Sequence, residues 1–172
     1  MKLHILLVGL PGAGKTTVGR LVAEQLGAGF VDTDNMIVRK MLMPITRVFG
    51  EFGETKFREL ERETMNTALA GPVSIIAPGG GWAAQPGQLE AGRENCFVIY
   101  LKALASTAAS RASGEGTRPL LVGEDPIEKM RRLSQEREPY YLLADATVKV
   151  DLKSAEQVAA EIVTLARERA GW

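Results

Sequence analysis

The run Gly9-Leu10-Pro11-Gly12-Ala13-Gly14-Lys15-Thr16-Thr17 gathers the groups needed to hold a triphosphate. It fits the pattern Gly, four residues, Gly-Lys-Ser/Thr, a loop whose backbone N–H groups converge on phosphate oxygens. Lys15 brings a positive charge to the outer phosphates. The Thr16 hydroxyl is a ligand for Mg2+, and the main chain of Gly12, Ala13, Gly14 and Thr17 completes the cradle. Downstream, Asp32-Thr33-Asp34 offers two carboxylates. Phosphoryl transfer needs a carboxylate that orients the metal, yet the apolar run ending at Ala77 leads into Pro78-Gly79 rather than into an acid. Asp32 fits that role, acting through Mg2+-bound water. Asp34 can accept a hydrogen bond from a substrate hydroxyl and orient or deprotonate it. Either aspartate can also simply cap the helix that follows.

Three further groups bear chemistry. Arg58 and Glu61 stand three apart on one helix face. Such a pair is either a solvated surface contact worth a few tenths of a kcal/mol or a guanidinium held for bidentate binding of a substrate carboxylate, with Glu61 fixing its orientation. Spacing leaves both open. Gly79-Gly80-Gly81 costs backbone entropy, which suits either a tight turn or close approach of the backbone to a ligand. Arg118 lies in the loop-like Ser113-Gly114-Glu115-Gly116-Thr117-Arg118-Pro119, the composition of a closing lid with one central cation for the transferring phosphoryl group. Arg137 falls at a helix C-terminus, where a cation is favourable for structural reasons alone.

The elements that must position these residues follow from apolar periodicity. Leu3 to Val8 reads as a strand, and Val18, Leu21, Val22 and Leu26 recur at helical spacing after the loop. Phe30-Val31 is a short second strand ending at Asp32, and Thr33 to Met41 a helix. Pro44 opens a short helical piece that Gly53 separates from a longer helix, about Glu54 to Leu69. Val73 to Ala77, Cys96 to Leu101 and Thr147 to Val150 are further strands. Helices cover a short piece at Leu89, Ala103 to Ala112, Pro126 to about Glu138-Pro139, and Ser154 to about Arg169. Short, almost wholly apolar strands alternating with helices predict an α/β domain, a parallel sheet covered on both faces, with no linker or repeat in residues 1–172. Ligands in such sheets bind beyond the C-terminal strand ends, where all the groups above fall.

Composition narrows the setting. Apolar residues make up 45% and charged residues 24%, and 21 Lys and Arg balance 21 Asp and Glu, so no basic block favours nucleic acid or a membrane surface. The lone Cys96 sits in an apolar strand and reads as a core thiol in a reducing compartment. The opening apolar run breaks at Gly9 and Pro11, too early for a signal peptide, and no stretch reaches transmembrane length. A cytoplasmic location is expected.

Taken jointly, Gly9 to Thr17, Phe30-Val31-Asp32-Thr33-Asp34, Phe57-Arg58 with Glu61, Gly79-Gly80-Gly81, Thr117-Arg118-Pro119-Leu120-Leu121 and Arg137-x-x-x-Tyr141 resemble the shikimate kinase family over nearly the whole chain. The resemblance implies a three-layer α/β/α fold of the P-loop type, like that of nucleoside monophosphate kinases. It would have five parallel strands, a helical substrate-binding segment at about 33–61 and a mobile lid at about 112–124. It implies ATP-dependent phosphorylation of the 3-hydroxyl of shikimate in aromatic amino acid biosynthesis. Thr16 and Asp32 would serve Mg2+, and Asp34 would hold the shikimate hydroxyls. Arg58 and Arg137 would hold its carboxylate, and Gly80 and Gly81 its ring by backbone N–H. Lys15 and Arg118 would stabilise the transferred phosphoryl group, and Arg111 would stack on adenine. The expected partners are ATP and shikimate, acting on a monomer. A gluconate kinase of the same fold is the enzyme alternative, and a nucleotide-binding regulator without turnover the non-catalytic one. Two places depart from the family pattern. Trp82 follows the triple glycine where small residues are usual, either bordering the acceptor pocket or packing against the helix near Leu89. Lys40 to Arg47, in the substrate-binding region, is the other.

Overall fold

A computed structural model describes residues 1–114 and 123–172 of the chain. Arg118, and with it most of the segment read as a lid, lies outside the described residues. The elements run β1 (His4–Val8), α1 (Lys15–Leu26), β2 (Gly29–Asp32), α2 (Thr33–Met41), α3 (Ile45–Ala70), β3 (Ser74–Ala77), α4 (Gln88–Gly92), β4 (Cys96–Lys102), α5 (Ala105–Gly114), α6 (Pro126–Tyr141), β5 (Ala146–Lys149) and α7 (Ala155–Arg169). All strand pairs are parallel, in the order β2-β3-β1-β4-β5. β1 is central and buried throughout because helices cover both sheet faces, which is why it reads as an unbroken apolar run. Each fully buried Leu or Ile of this layer contributes roughly 1.5–3 kcal/mol relative to exposure.

A second, smaller apolar cluster of Ile37, Val48, Phe57 and Leu60 joins α2 to α3, with Met41, Met43 and Ile45 packed against it. The divergent 40–47 segment therefore supplies the apolar lining of a helical pair that stands apart from the main core. α3 is bent where Gly53 leaves helical geometry at φ 80°, the break that its glycine predicted.

One expectation needs correcting. α6 does not stop at Glu138-Pro139 but continues to Tyr141 with Pro139 inside its last turn. Proline there forfeits only one late main-chain bond. Tyr141, fully buried and tilted against Tyr100 at 5.1 Å between ring centroids, holds the turn in place.

Candidate active site

The phosphate-binding loop is shaped by three glycines at positive φ: Gly9 (153°), Gly12 (80°) and Gly14 (95°), the last being the N-cap of α1. Space demands them as well. A Cβ on Gly12 would lie 2.2 Å from the Ala108 carbonyl oxygen of α5, and one on Gly9 2.6 Å from that of Leu101. The loop is thus wedged against two main-chain segments and its form is fixed before any ligand binds. Lys15 is buried, its Nζ donating to the carbonyls of Gly9 at 2.8 Å and Leu10 at 2.9 Å. Beside the loop a cavity of about 290 Å³ is lined by Gly14, Thr17, Arg111, Val150, Lys153 and Val158, among others. Its apolar walls and the Arg111 guanidinium near Gly14 suit a planar base adjoining the phosphates. The family resemblance implies that the loop after Val150-Asp151 lies near the base but assigns no residue there; the fold supplies Val150, Lys153 and Val158.

Asp32 caps the helix and also reaches the phosphate loop. Its Oδ1 accepts from the Asn35 N–H at 3.1 Å, capping α2, while its Oδ2 accepts from the Thr16 hydroxyl at 3.1 Å. Hydroxyl and carboxylate oxygens from two elements therefore meet at the phosphate loop. No cluster of three or more His, Cys, Asp or Glu suited to a metal occurs among the described residues. Few, hard oxygen donors beside a phosphate site fit Mg2+, which keeps most of its waters.

The triple glycine forms the turn anticipated, closed by the Trp82 N–H on the Gly79 carbonyl, and has a further reason that spacing does not show. None of Gly79, Gly80 and Gly81 has positive φ, so conformational freedom is not what selects them. Each instead makes room for a site side chain. A Cβ on Gly79 would lie 2.8 Å from both Asp34 Oδ1 and Glu61 Oε1. One on Gly80 would lie 3.1 Å from Arg137 Nη1 and 3.2 Å from Pro11, and one on Gly81 2.7 Å from Arg58 Nη1. Asp34, Arg58, Glu61 and Arg137, from three helices, converge on one bare stretch of backbone.

Arg58 is no solvated pair. It donates to Glu61 Oε2 at 2.6 Å, and the Glu61 side chain is only 2% exposed. Burial pushes the Glu61 carboxyl up, the Arg58 guanidinium pulls it back, the Asp34 carboxylate adds to the rise and Arg137 opposes it. Arg58 Nε and Arg137 Nη1 are buried with no hydrogen-bond partner among the described residues. Guanidinium N–H groups kept out of water are costly unless something anionic meets them.

Main-chain accounting of the glycine loop is equally pointed. Gly79 N–H donates to Thr33 Oγ1 at 3.2 Å, and the Gly79 carbonyl accepts from Trp82 N–H at 3.0 Å. The Gly80 carbonyl accepts from the Tyr141 hydroxyl at 2.7 Å, and that of Gly81 from Gln85 Nε2 at 3.3 Å. Only the N–H groups of Gly80 and Gly81 find no partner among the described residues. Trp82 itself turns inward: it is 2% exposed, with its ring edge placed where a Cβ on Gly92 of α4 would lie 3.1 Å away. It packs toward α4 at Gly92, within the core cluster that includes Leu89.

This wall makes a test. Gly81→Ala should leave the fold intact, because the clashing atoms are the mobile end of Arg58, but should displace that guanidinium. We expect the KM for a carboxylated acceptor to rise about tenfold or more, with the KM for ATP unchanged, in steady-state kinetics alongside a melting curve.

A phosphate loop before α1, a hydroxyl–carboxylate pair beside it and two arginines with unpartnered buried N–H groups at the C-terminal ends of a 2-3-1-4-5 parallel sheet define a P-loop phosphotransferase. The family model for shikimate kinase matches residues 11–167, and the chain belongs to that family. It is 42% identical to the shikimate kinase of Symbiobacterium thermophilum over 170 residues, 97% of this chain and 98% of that one. Among solved structures it resembles shikimate kinase from Acinetobacter baumannii in complex with shikimate, with a TM-score of 0.92, 35% identity, and 98% and 94% of the two chains covered. A gluconokinase from Sinorhizobium meliloti shares the fold alone, at TM-score 0.65 and 17% identity, with 99% and 94% of the two chains covered. No helix among the described residues is long and apolar enough to cross a membrane.

Proposed function

We propose that the protein transfers the γ-phosphoryl group of ATP to the 3-hydroxyl of shikimate, and that residues 33–61 form its acceptor-binding segment. The observation that carries this reading is the pair of arginines, half-buried Arg58 and buried Arg137, presenting buried N–H groups with no partner among the described residues beside Asp34 and two glycine N–H groups likewise unpartnered. Together they suit a small acceptor with one carboxylate and several hydroxyls. A nucleoside monophosphate would need a base-reading pocket in their place.

In this reading Gly12, Ala13, Gly14 and Thr17 bind the phosphates through the main chain and the start of α1, and Arg111 covers the adenine. Lys15 leaves the Gly9 and Leu10 carbonyls for the β- and γ-phosphates and stabilises the transferring group; Arg118 is assigned the same task from its sequence motif. Thr16 and Asp32 would hold Mg2+, which when bound neutralises charge on the phosphates. Arg58, oriented by Glu61, and Arg137 clamp the carboxylate. Asp34 holds the reacting hydroxyl in line and takes its proton. The N–H groups of Gly80 and Gly81 fix the ring. Catalysis is mostly placement and charge stabilisation, as expected for a loose transition state.

The test is ADP release by purified protein with Mg-ATP against shikimate, gluconate and nucleoside monophosphates. Shikimate should be strongly preferred; brisk turnover of another acid without shikimate turnover would overturn the reading. Removing Arg58 alone would strand the buried Glu61 charge, at a cost of about 3–5 kcal/mol. The informative variant is therefore the double replacement Arg58→Ala, Glu61→Gln. Its KM for shikimate should rise about 10²-fold with ATP affinity unchanged; equal loss of both would signal a folding defect.

A further inference from the structure

We propose that Tyr141 is a positioning residue for the acceptor: its hydroxyl holds the Gly80–Gly81 peptide so that the Gly81 N–H faces the bound substrate. The inference rests on the acceptor reading above but concerns a side chain to which that reading gives no task.

The geometry begins with the peptide plane. No peptide bond in the described residues is cis, so the Gly80 carbonyl and the Gly81 N–H point in opposite directions. The Tyr141 hydroxyl donates to that carbonyl at 2.7 Å. Anchoring the oxygen on the core side therefore aims the N–H away from the core. A loop of three glycines has little steric reason to keep one orientation, since a glycine peptide flips readily without a Cβ. Beyond the turn bond from Trp82 N–H to the Gly79 carbonyl, the choice along Gly79 to Gly81 falls to side chains of two helices and of Gln85 in the same connection. Thr33 of α2 receives the first N–H, Tyr141 of α6 holds the middle carbonyl, and Gln85 holds the last.

Tyr141 suits this work because it cannot move. Its side chain is fully buried, and Tyr100 of β4 lies against it at 5.1 Å with the rings tilted by 35°. The residue also stands one turn after Arg137 on α6. The Arg137 guanidinium interacts with the phenol, opposing the rise that burial imposes on it. One phenol thus joins the helix that carries a carboxylate clamp to the loop that carries the ring contacts. Pro139 inside the last turn fits the same logic: α6 is extended past a residue that tends to end helices, and the extension is what delivers Tyr141 to the loop.

Tyr141→Phe keeps the ring and its packing and removes only the O–H. We expect the KM for shikimate to rise about five- to tenfold, the scale of one well-placed hydrogen bond, with kcat and the KM for ATP within about twofold of the parent. Tyr100→Phe alters a phenol of the same buried cluster without touching the loop and should leave both KM values unchanged. In ligand-free protein labelled with 13C and 15N, Tyr141→Phe should shift the Gly80 carbonyl and Gly81 amide resonances, and Tyr100→Phe should not. An unchanged shikimate KM, an equal rise in both KM values, the same kinetic effect from Tyr100→Phe, or an unmoved Gly81 amide would each overturn the proposal. Failure of the parent protein to turn over shikimate would refute the acceptor reading instead, and the ligand-free spectra still decide whether Tyr141 orients the peptide.

Discussion

Replacing Lys15 by Met is expected to lower kcat/KM by about 10³-fold or more while the protein stays folded and still binds ADP. The size follows from what the ammonium does in the transition state. Charge on the transferring phosphoryl group spreads over its oxygens, and a cation fixed in a water-poor loop stabilises it far more than one in water. Lys15 exchanges the Gly9 and Leu10 carbonyls for phosphate oxygens when ATP binds, and the loop that carries it is wedged against the Leu101 and Ala108 carbonyls, so that frame does not have to reorganise during the reaction. Binding of ADP should survive because the glycine backbone and the start of α1 supply donors that Met leaves in place. The Gly9 and Leu10 carbonyls each lose a partner, which costs stability on the order of 1–3 kcal/mol. Melting curves and ADP calorimetry beside the kinetics separate these effects. A variant within tenfold of the parent would show that Lys15 merely braces the loop.

How far the chain could be read depended on whether the cause of a feature was local. The phosphate loop was legible because each of its glycines and its Lys-Thr pair answers to contacts within one strand–turn–helix. The parallel sheet was legible because strands such as Ile5 to Val8, buried on both sides, cannot alternate. Arg58 was ambiguous because a guanidinium three residues from a glutamate looks the same in water and in a buried wall; the distinction lies in α2, α6 and the glycine loop, which sequence spacing does not show. Gly79-Gly80-Gly81 was legible as a turn, but the steric cause beside it was not. The missing Cβ atoms make way for Asp34, Glu61, Arg137 and Arg58, none of them neighbours in the chain. Trp82 resolved in the same way, since the space left by Gly92 decides where its ring goes. Tyr141 carries a signal in the sequence as well. Its i, i+4 spacing from Arg137 puts both on one helix face, and the proline between them argued for ending the helix too soon.

The same convergence bears on Asp34, whose replacement by Asn should have the other large effect. Asp34 and Glu61 both face the Cα of Gly79, yet they are not equivalent. Glu61 is committed to Arg58 at 2.6 Å, within a helix pair whose apolar cluster holds it still. Asp34 sits in the first turn of α2, two residues after Asp32, so the residue that meets the hydroxyl of Thr16 and the residue proposed to meet the acceptor are fixed by one helix start. In the proposed function, a shift of that start would misplace metal and acceptor together. Asparagine keeps the shape and one acceptor oxygen but loses the negative charge that polarises the hydroxyl and receives its proton. We expect kcat to fall about 10²-fold, the lower end of the range for general-base catalysis, because a loose transition state asks little of its base. The KM for shikimate should change only a few-fold, since Arg58 and Arg137 supply most of the ground-state binding. Alanine at the same position, lacking any acceptor, should lower kcat further and raise the shikimate KM as well. If asparagine instead retains full kcat, the carboxylate only holds the hydroxyl, and catalysis rests on placement and on the cations alone.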